Sequence, residues 1–313
     1  WLDPAPPFVE EDIKNNTVPI AGQSAEYNGK IYGYIQHIGI PTPVINLDLY
    51  EQAGVAEPKT YDELLEINKK LDKVDTKGRL VQAGTALAPT KGGSWNVIHW
   101  STVLKAFGGE IINKEATKST FNTREGIEAT KVYAALTHLD FAPSPSDMWI
   151  LGKVGMVWTG PWSRSFWKEN NPKLRFKAIL PLRGPARQAT SMYAWFWVVN
   201  ARSDPKKKLE AWKFLKFISN DENYLELANK VGFISFRKEN LTNKQYVSDP
   251  WIAAFGEALN FAEVYYARNI ATWEKIDMAI GQELERLNAK ELTASSTLEN
   301  AERLVNQILK GGR

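Results

Sequence analysis

The chain has 313 residues, 43% of them hydrophobic and 24% charged, the balance of an ordinary globular protein long enough for two or three lobes. Its net charge of +3 comes from 39 basic and 36 acidic side chains, and these are interspersed, which excludes the clustered lysine and arginine footprint of a nucleic-acid binder. Cysteine is absent, so disulfide frameworks, thiol nucleophiles and cysteine metal sites are excluded, and no apolar run approaches the roughly 18 residues of a membrane span.

The chain opens at Trp1 with neither a methionine nor a signal segment, which predicts a processed or truncated product. Residues 1–25 read as irregular and proline-rich at the start. Tyr27 to Lys30 reads as a turn, and Ile31 to Ile35 as a strand. Asn46 to Ala53 reads as a short helix ending at Gly54. Thr60-Tyr-Asp-Glu63 is a capping-box pattern, followed by Leu64, Leu65, Asn68 and Leu71 at helical spacing. Ser94 is expected to cap a helix that runs to Phe107 and closes at Gly108 and Gly109. Thr123 is expected to cap another.

Gly152 to Thr159 and Arg175 to Leu180 read as strands. Ala194 to Asn200 is continuously apolar and is expected to be a strand buried on both faces. Ser203-Asp204-Pro205 marks a helix start, with Lys206, Lys207 and Lys208 on a solvated face and Trp212, Leu215 and Ile218 on the buried stripe. Asn220 to Val231 is predicted helical and stops at Gly232. Further helices are predicted from Asp249-Pro250 and over Thr272 to Asn288. A second capping box, Ser296 to Glu299, is expected to start the closing helix. Strands alternating with helices predict an α/β protein.

Tests for catalysis find little. The three histidines, His37, His99 and His138, are far apart and none forms a His-x-x-x-His pair. Lys91-Gly-Gly-Ser94 lacks phosphate-loop spacing, and no Gly-x-Ser-x-Gly elbow occurs. Asp140, Asp147 and Glu263 are unassigned carboxylates, and nothing marks a glycosidase pair among them. No cofactor and no metal is expected.

Tryptophan is the unusual residue, with 12 copies. Trp95, Trp149, Trp162, Trp195 and Trp273 sit near expected loops or helix starts. The stretch Lys153 to Trp167 places Trp158, Trp162 and Trp167 around a Gly-Pro turn. Core packing and a flat apolar surface offered to a ligand both account for such rings.

Several motifs occur in a fixed order. They are Tyr27-Asn-Gly-Lys-Ile-Tyr-Gly33, Asn46-Leu-Asp-Leu-Tyr-Glu-Gln-Ala-Gly54, Pro58-Lys-Thr-Tyr-Asp-Glu-Leu-Leu65, Phe107-Gly-Gly109, Gly152-Lys-Val-Gly-Met156, Gly160-Pro-Trp-Ser163 and Ala211-Trp-Lys-Phe-Leu-Lys-Phe217. Together they resemble the extracellular sugar-binding proteins of ABC importers, the solute-binding proteins similar to the maltose-binding protein. Gly155 stands where that family usually has alanine, and Ile45 where it usually has an aromatic. Family members also carry a β-α-β-α-β half-lobe before the Tyr27 motif. On the order of a hundred residues are therefore expected to be missing, or supplied by an additional N-terminal segment or a partner.

The resemblance implies a two-lobed, class II periplasmic-binding-protein-like fold with ligand held between lobes and an incomplete first lobe. Crossings are expected near Pro41 to Asn46, Met192 to Trp195 and Gln245 to Pro250. The partial first lobe then holds residues 1–43 and 193–245, and the second holds 44–192 and 246–313. By the same resemblance Trp162 stacks on sugar, Trp95 and Trp273 head helices that face the ligand, and Gln36 and His37 supply polar contacts. For His37 and for Trp195, on a crossing strand, core and ligand roles both stand. Trp158 and Trp167 read as packing.

The implied function is a carbohydrate receptor that delivers its ligand to a membrane permease, periplasmic or extracellular and compatible with an anchor outside the cell. A carbohydrate-active enzyme, such as a glycoside hydrolase with a tryptophan-lined cleft, is the first alternative. A scaffold that keeps the fold without transport is the second.

Overall fold

The structure, a computed structural model of the chain, describes residues 1–87, 94–138, 144–265 and 270–311. Asp140 and the glycine-rich Lys91 to Gly93 lie outside the described residues. The chain divides into two compact units. The first comprises Trp1–Ile40, Gly160–Ser165 and Met192–Asn269; the second comprises Pro41–Thr159, Phe166–Ser191 and Ile270–Arg313.

The first unit contains a three-stranded sheet in the order Ala262–Val264, Thr190–Trp197, Tyr34–Gly39. Several of its helices begin on side-chain caps that meet their unsatisfied first amides. Asp204 accepts from the amides of Lys206 and Lys207, Asn220 from Asn223, and Asp249 from Trp251. Asp221–Val231 ends on Gly232 at φ +83°, a left-handed conformation that costs glycine least. Val9, Ile13, Ile35, Trp212, Phe236 and Phe255 are buried, each stabilising the unit by about 1.5–3 kcal/mol of apolar transfer.

Inside that core Arg237, only 2% exposed, donates through Nη1 to Asp12 at 2.8 Å and through Nε to Asp221 at 2.6 Å. Tyr34 donates its hydroxyl to the same Asp12 carboxylate. This network fastens the helix Pro7–Asn16 to the strand Tyr34–Gly39 and to the segment that enters Lys238–Thr242.

The second unit is built on a five-stranded sheet in the order Lys73–Val74, Leu80–Thr85, Val154–Thr159, Thr42–Asn46, Phe176–Ala178. Leu80–Thr85 and Val154–Thr159 run parallel, and the other pairs are antiparallel. Helices Tyr61–Leu71, Ser94–Ala106, Arg124–Ala135, Trp273–Asn288 and Ala294–Gly311 contribute to one core, which includes Leu64, Trp100, Tyr133, Trp158, Ile280 and Val305. Trp167 also packs inside, with its ring 4.9 Å from Trp149 and 5.2 Å from Phe176.

Local sequence signals place most helix ends. Asn46 accepts from the amides of Asp48 and Leu49, and Gly54 closes that helix at φ +62°. Thr123 accepts from Gly126, and Thr60 from Glu63 at 3.2 Å. The first capping box differs in its return bond, since Glu63 accepts from the amide of Lys59 at 2.6 Å. The second is displaced: the closing helix starts at Ala294, and Thr293 accepts from the Ser296 amide at 3.2 Å. The earlier threonine caps a first turn three residues upstream of the expected one and so adds most of a turn to the helix.

The late apolar strand also differs from its expected form. It spans Thr190–Trp197, with Thr190, Ser191 and Met192 buried, whereas Trp195 and Trp197 are 58% and 41% exposed. Outward and inward side chains alternate along its last residues, so an unbroken apolar run here is not a two-sided core strand.

The units change at residues 40/41, 159/160, 165/166, 191/192 and 269/270. Residues 246–269 and Gly160–Ser165 both group with the first unit. Their mutual contacts explain it. Trp251 donates its indole N–H to the Pro161 carbonyl at 3.0 Å, and Arg164 pairs with Asp249 and lies 5.8 Å from the Trp251 ring.

Candidate functional site

In the first unit, Tyr34–Gly39 pairs antiparallel with Thr190–Trp197 through Ile35↔Phe196 and His37↔Trp195. Gln36 is the extra residue between those pairs, so it forms a β-bulge. Bulges re-aim the side chains beside them and recur next to functional sites. The His37 ring lies 4.4 Å from Phe233, with 6° between planes, and 6.0 Å from Trp195, with 17°. Phe233, His37 and Trp195 therefore form one pile whose outer member is an exposed indole.

Burial pushes His37 down to about 4, so its ring is neutral near pH 7. A neutral imidazole offers one donor and one acceptor. Its Nδ1 is buried with no hydrogen-bond partner among the described residues. Phe233 was not singled out in the sequence. It lies far along the chain from His37, and no local pattern announces the contact.

Trp162 is half-buried. Its ring folds back over Gly160: a Cβ added there would stand 1.8 Å from Trp162 Cζ3. The ring meets Tyr193 edge-on at 6.5 Å, and Tyr193 in turn covers Gly39, where an added Cβ would stand 2.2 Å from its Cζ. Two glycines thus make room for two aromatic rings in contact. Tyr193 and Tyr265 add a further edge contact at 6.5 Å. The Gly-Pro bend presents Trp162 as part of this cluster rather than as a free-standing ring.

A separate cleft of about 340 Å³ in the first unit is lined by Arg164, Asn229, Gly232, Asn243, Tyr246 and Asp249 among others. It contains none of the six residues expected to bind ligand.

In the second unit, Trp95 and Trp273 stand in the first turns of Ser94–Ala106 and Trp273–Asn288, and both are half-buried. Trp95 meets His99 edge-on at 4.8 Å. His99 is 3% exposed, and burial pushes it down to about 3. Trp273 packs against the core of the unit. The two helices are packed together, and Ser94 donates its hydroxyl to Asp277.

The six expected residues therefore fall into two groups. Gln36, His37, Trp195 and Trp162 belong to the first unit, and Trp95 and Trp273 to the second. Of the unassigned carboxylates, Asp147 is engaged at a helix start, accepting from the Ser144 hydroxyl at 2.7 Å. Among the described residues no cluster of histidine and carboxylate side chains is arranged to hold a metal ion, and no helix is long and apolar enough to cross a membrane.

Comparison with known proteins adds a family. The family of bacterial extracellular solute-binding proteins matches residues 7–254. A putative binding protein of Brucella abortus is 24% identical over 326 residues, covering 98% of this chain and 75% of its own length. A maltotriose-binding protein of Pyrococcus abyssi is 24% identical over 271 residues, covering 83% of this chain and 56% of its own. In three dimensions the chain is similar to an ABC transporter solute-binding protein of Thermotoga lettingae bound with α-D-tagatose. The TM-score is 0.82 at 23% identity, covering 99% of this chain and 80% of that one. The likeness shows that the chain has the α/β fold of these binding proteins.

Proposed function

The chain belongs to the bacterial extracellular solute-binding proteins, and from that premise we propose that it is a carbohydrate receptor that hands its ligand, unchanged, to the permease of an ABC importer. The observation that carries this reading is the pile Phe233, His37, Trp195, which ends on an exposed indole beside the bulged Gln36. A pyranose has a face lined with C–H groups and a rim of hydroxyls. Aromatic rings cover the face with large contact area and little rotamer loss. A carboxamide and a neutral imidazole satisfy the rim with both donors and acceptors.

In this reading Trp162 is a second stacking ring, held by Gly160 and Tyr193. Trp95 and Trp273, half-buried in the first turns of two packed helices of the second unit, are further candidate stacking rings. The receptor works outside the cytoplasm, in a periplasm or at a cell surface. Catalysis is not part of the proposal, and the relatives are binding proteins.

The relatives' ligands suggest the screen. Thermal shift is measured with D-tagatose and maltotriose, named with the similar proteins above, and with maltose and mannotriose, which are bound in other solved structures similar to this chain. A sugar selective for the native state, at a hundredfold excess over its Kd, stabilises by about 2.7 kcal/mol and raises Tm by a few degrees. The reading requires such a shift from at least one neutral sugar and its loss in Trp162→Ala. No shift with any carbohydrate tested would return the chain to the scaffold alternative.

A further inference from the structure

Two helices of the second unit begin side by side. Ser94 is the first residue of Ser94–Ala106, and its hydroxyl donates to Asp277 Oδ2 in Trp273–Asn288. Asp277 is 5% exposed, and its other oxygen, Oδ1, is buried with no hydrogen-bond partner among the described residues. It is the one carboxylate oxygen so left among them. Burial raises the Asp277 carboxyl above its ordinary range; the Ser94 bond opposes this, and the nearby Glu274 adds to it.

Joining two helix starts does not call for this group. A serine or asparagine would make the link without burying a charge, and a carboxylate oxygen stripped of water with no donor is destabilising. The surroundings give the oxygen a use. Trp273 precedes Asp277 by four residues on the same helix face, and helical side chains lean toward the N-terminus. Asp277 therefore leans over the Trp273 turn. Trp95 adjoins its partner Ser94, and both helix starts favour negative charge.

We propose that Asp277 is a ligand-binding residue whose Oδ1 accepts a hydroxyl from a neutral carbohydrate packed on Trp95 and Trp273. This rests on the carbohydrate reading above and adds its polar anchor in the second unit. An acceptor held without a donor selects for a ligand that brings one, and it disfavours an anionic group at that position.

The test compares wild type, Asp277→Leu, Asp277→Asn and Trp162→Ala by titration calorimetry with D-tagatose, maltose, maltotriose and mannotriose, alongside unliganded Tm. Leucine is nearly isosteric and removes the buried charge, so unliganded Tm stays level or rises. Affinity for the sugar that wild type binds falls roughly ten- to hundredfold, the range of a hydrogen bond to a charged group. Asparagine keeps an acceptor for Ser94 and still loses about tenfold; its affinity decides the matter if the leucine variant does not fold.

A merely structural Asp277 gives the opposite pattern, with lower Tm and unchanged affinity, and that overturns the proposal. If Trp162→Ala loses affinity while both Asp277 variants keep it, the carbohydrate reading stands and the role of Asp277 falls. If wild type binds none of the four sugars, both fall.

Discussion

Gly160→Ala adds one methyl group where the Trp162 indole already lies. The new Cβ would stand 1.8 Å from Cζ3, 2.0 Å from Cη2 and 2.4 Å from Cε3 of that ring. Carbon atoms settle at about 3.5–4.0 Å, so the indole must retreat by about 2 Å. The Gly160 backbone is not left-handed, so the strain falls on the ring rather than the chain. Overpacking of this kind costs about 1–3 kcal/mol of stability.

If Trp162 stacks on sugar, displacing it removes most of what Trp162→Ala removes, about 2 kcal/mol or thirtyfold in Kd. The double variant Gly160→Ala/Trp162→Ala then binds no more weakly than Trp162→Ala alone, because the alanine has no ring left to move. Titration calorimetry on the four proteins closes the cycle. Wild-type affinity in Gly160→Ala, or losses that simply add, would show that the displaced ring is not what holds the sugar.

Two further outcomes are expected. Arg237→Met leaves the 7%-exposed Asp12 without its cationic partner, with only neutral donors such as Tyr34 beside it, and costs about 3–5 kcal/mol in urea denaturation, whereas Arg175→Ala, whose ion pairs are exposed, has no measurable effect; equal losses would contradict this. His99 folds neutral, its value pushed from 6.5 to about 3, so its contribution is complete above about pH 6.5 and is lost as pH falls toward 3. The drop in denaturation midpoint from pH 7 to pH 5 is therefore shallower in His99→Leu, and an unchanged slope would remove His99 as a cause.

Helix ends were legible because their causes are local. Asn46 and Gly54, Thr60, Thr123, Asp204-Pro205 and Asp249-Pro250 each carry the cap and the first turn within a few residues. The closing helix was misplaced because Thr293 and Ser296 both have capping chemistry, and only the folded chain selects between them. The rest depends on contacts between distant segments. The bulge at Gln36 exists only relative to Phe196 and Trp195. The partners of His37 and Trp162 come from elsewhere in the chain, as does the Ser94 bond of Asp277. Residues 246–269 group with the first unit where Trp251 reaches Pro161, a contact with no trace in either segment's periodicity. Trp195 and Trp197 belong to an apolar run whose exposure depends on what packs beside the strand.

Capture of a carbohydrate and its release unchanged are what set a receptor apart from an enzyme and from a scaffold. Both are read in one experiment: titration calorimetry with the sugar that gives the largest thermal shift, followed by chromatography of the sugar recovered from the same sample. A receptor shows one site per chain, weakened about thirtyfold by Trp162→Ala, and returns intact sugar at the end. Absence of binding heat for every sugar tested, or recovery of shorter products, would contradict it.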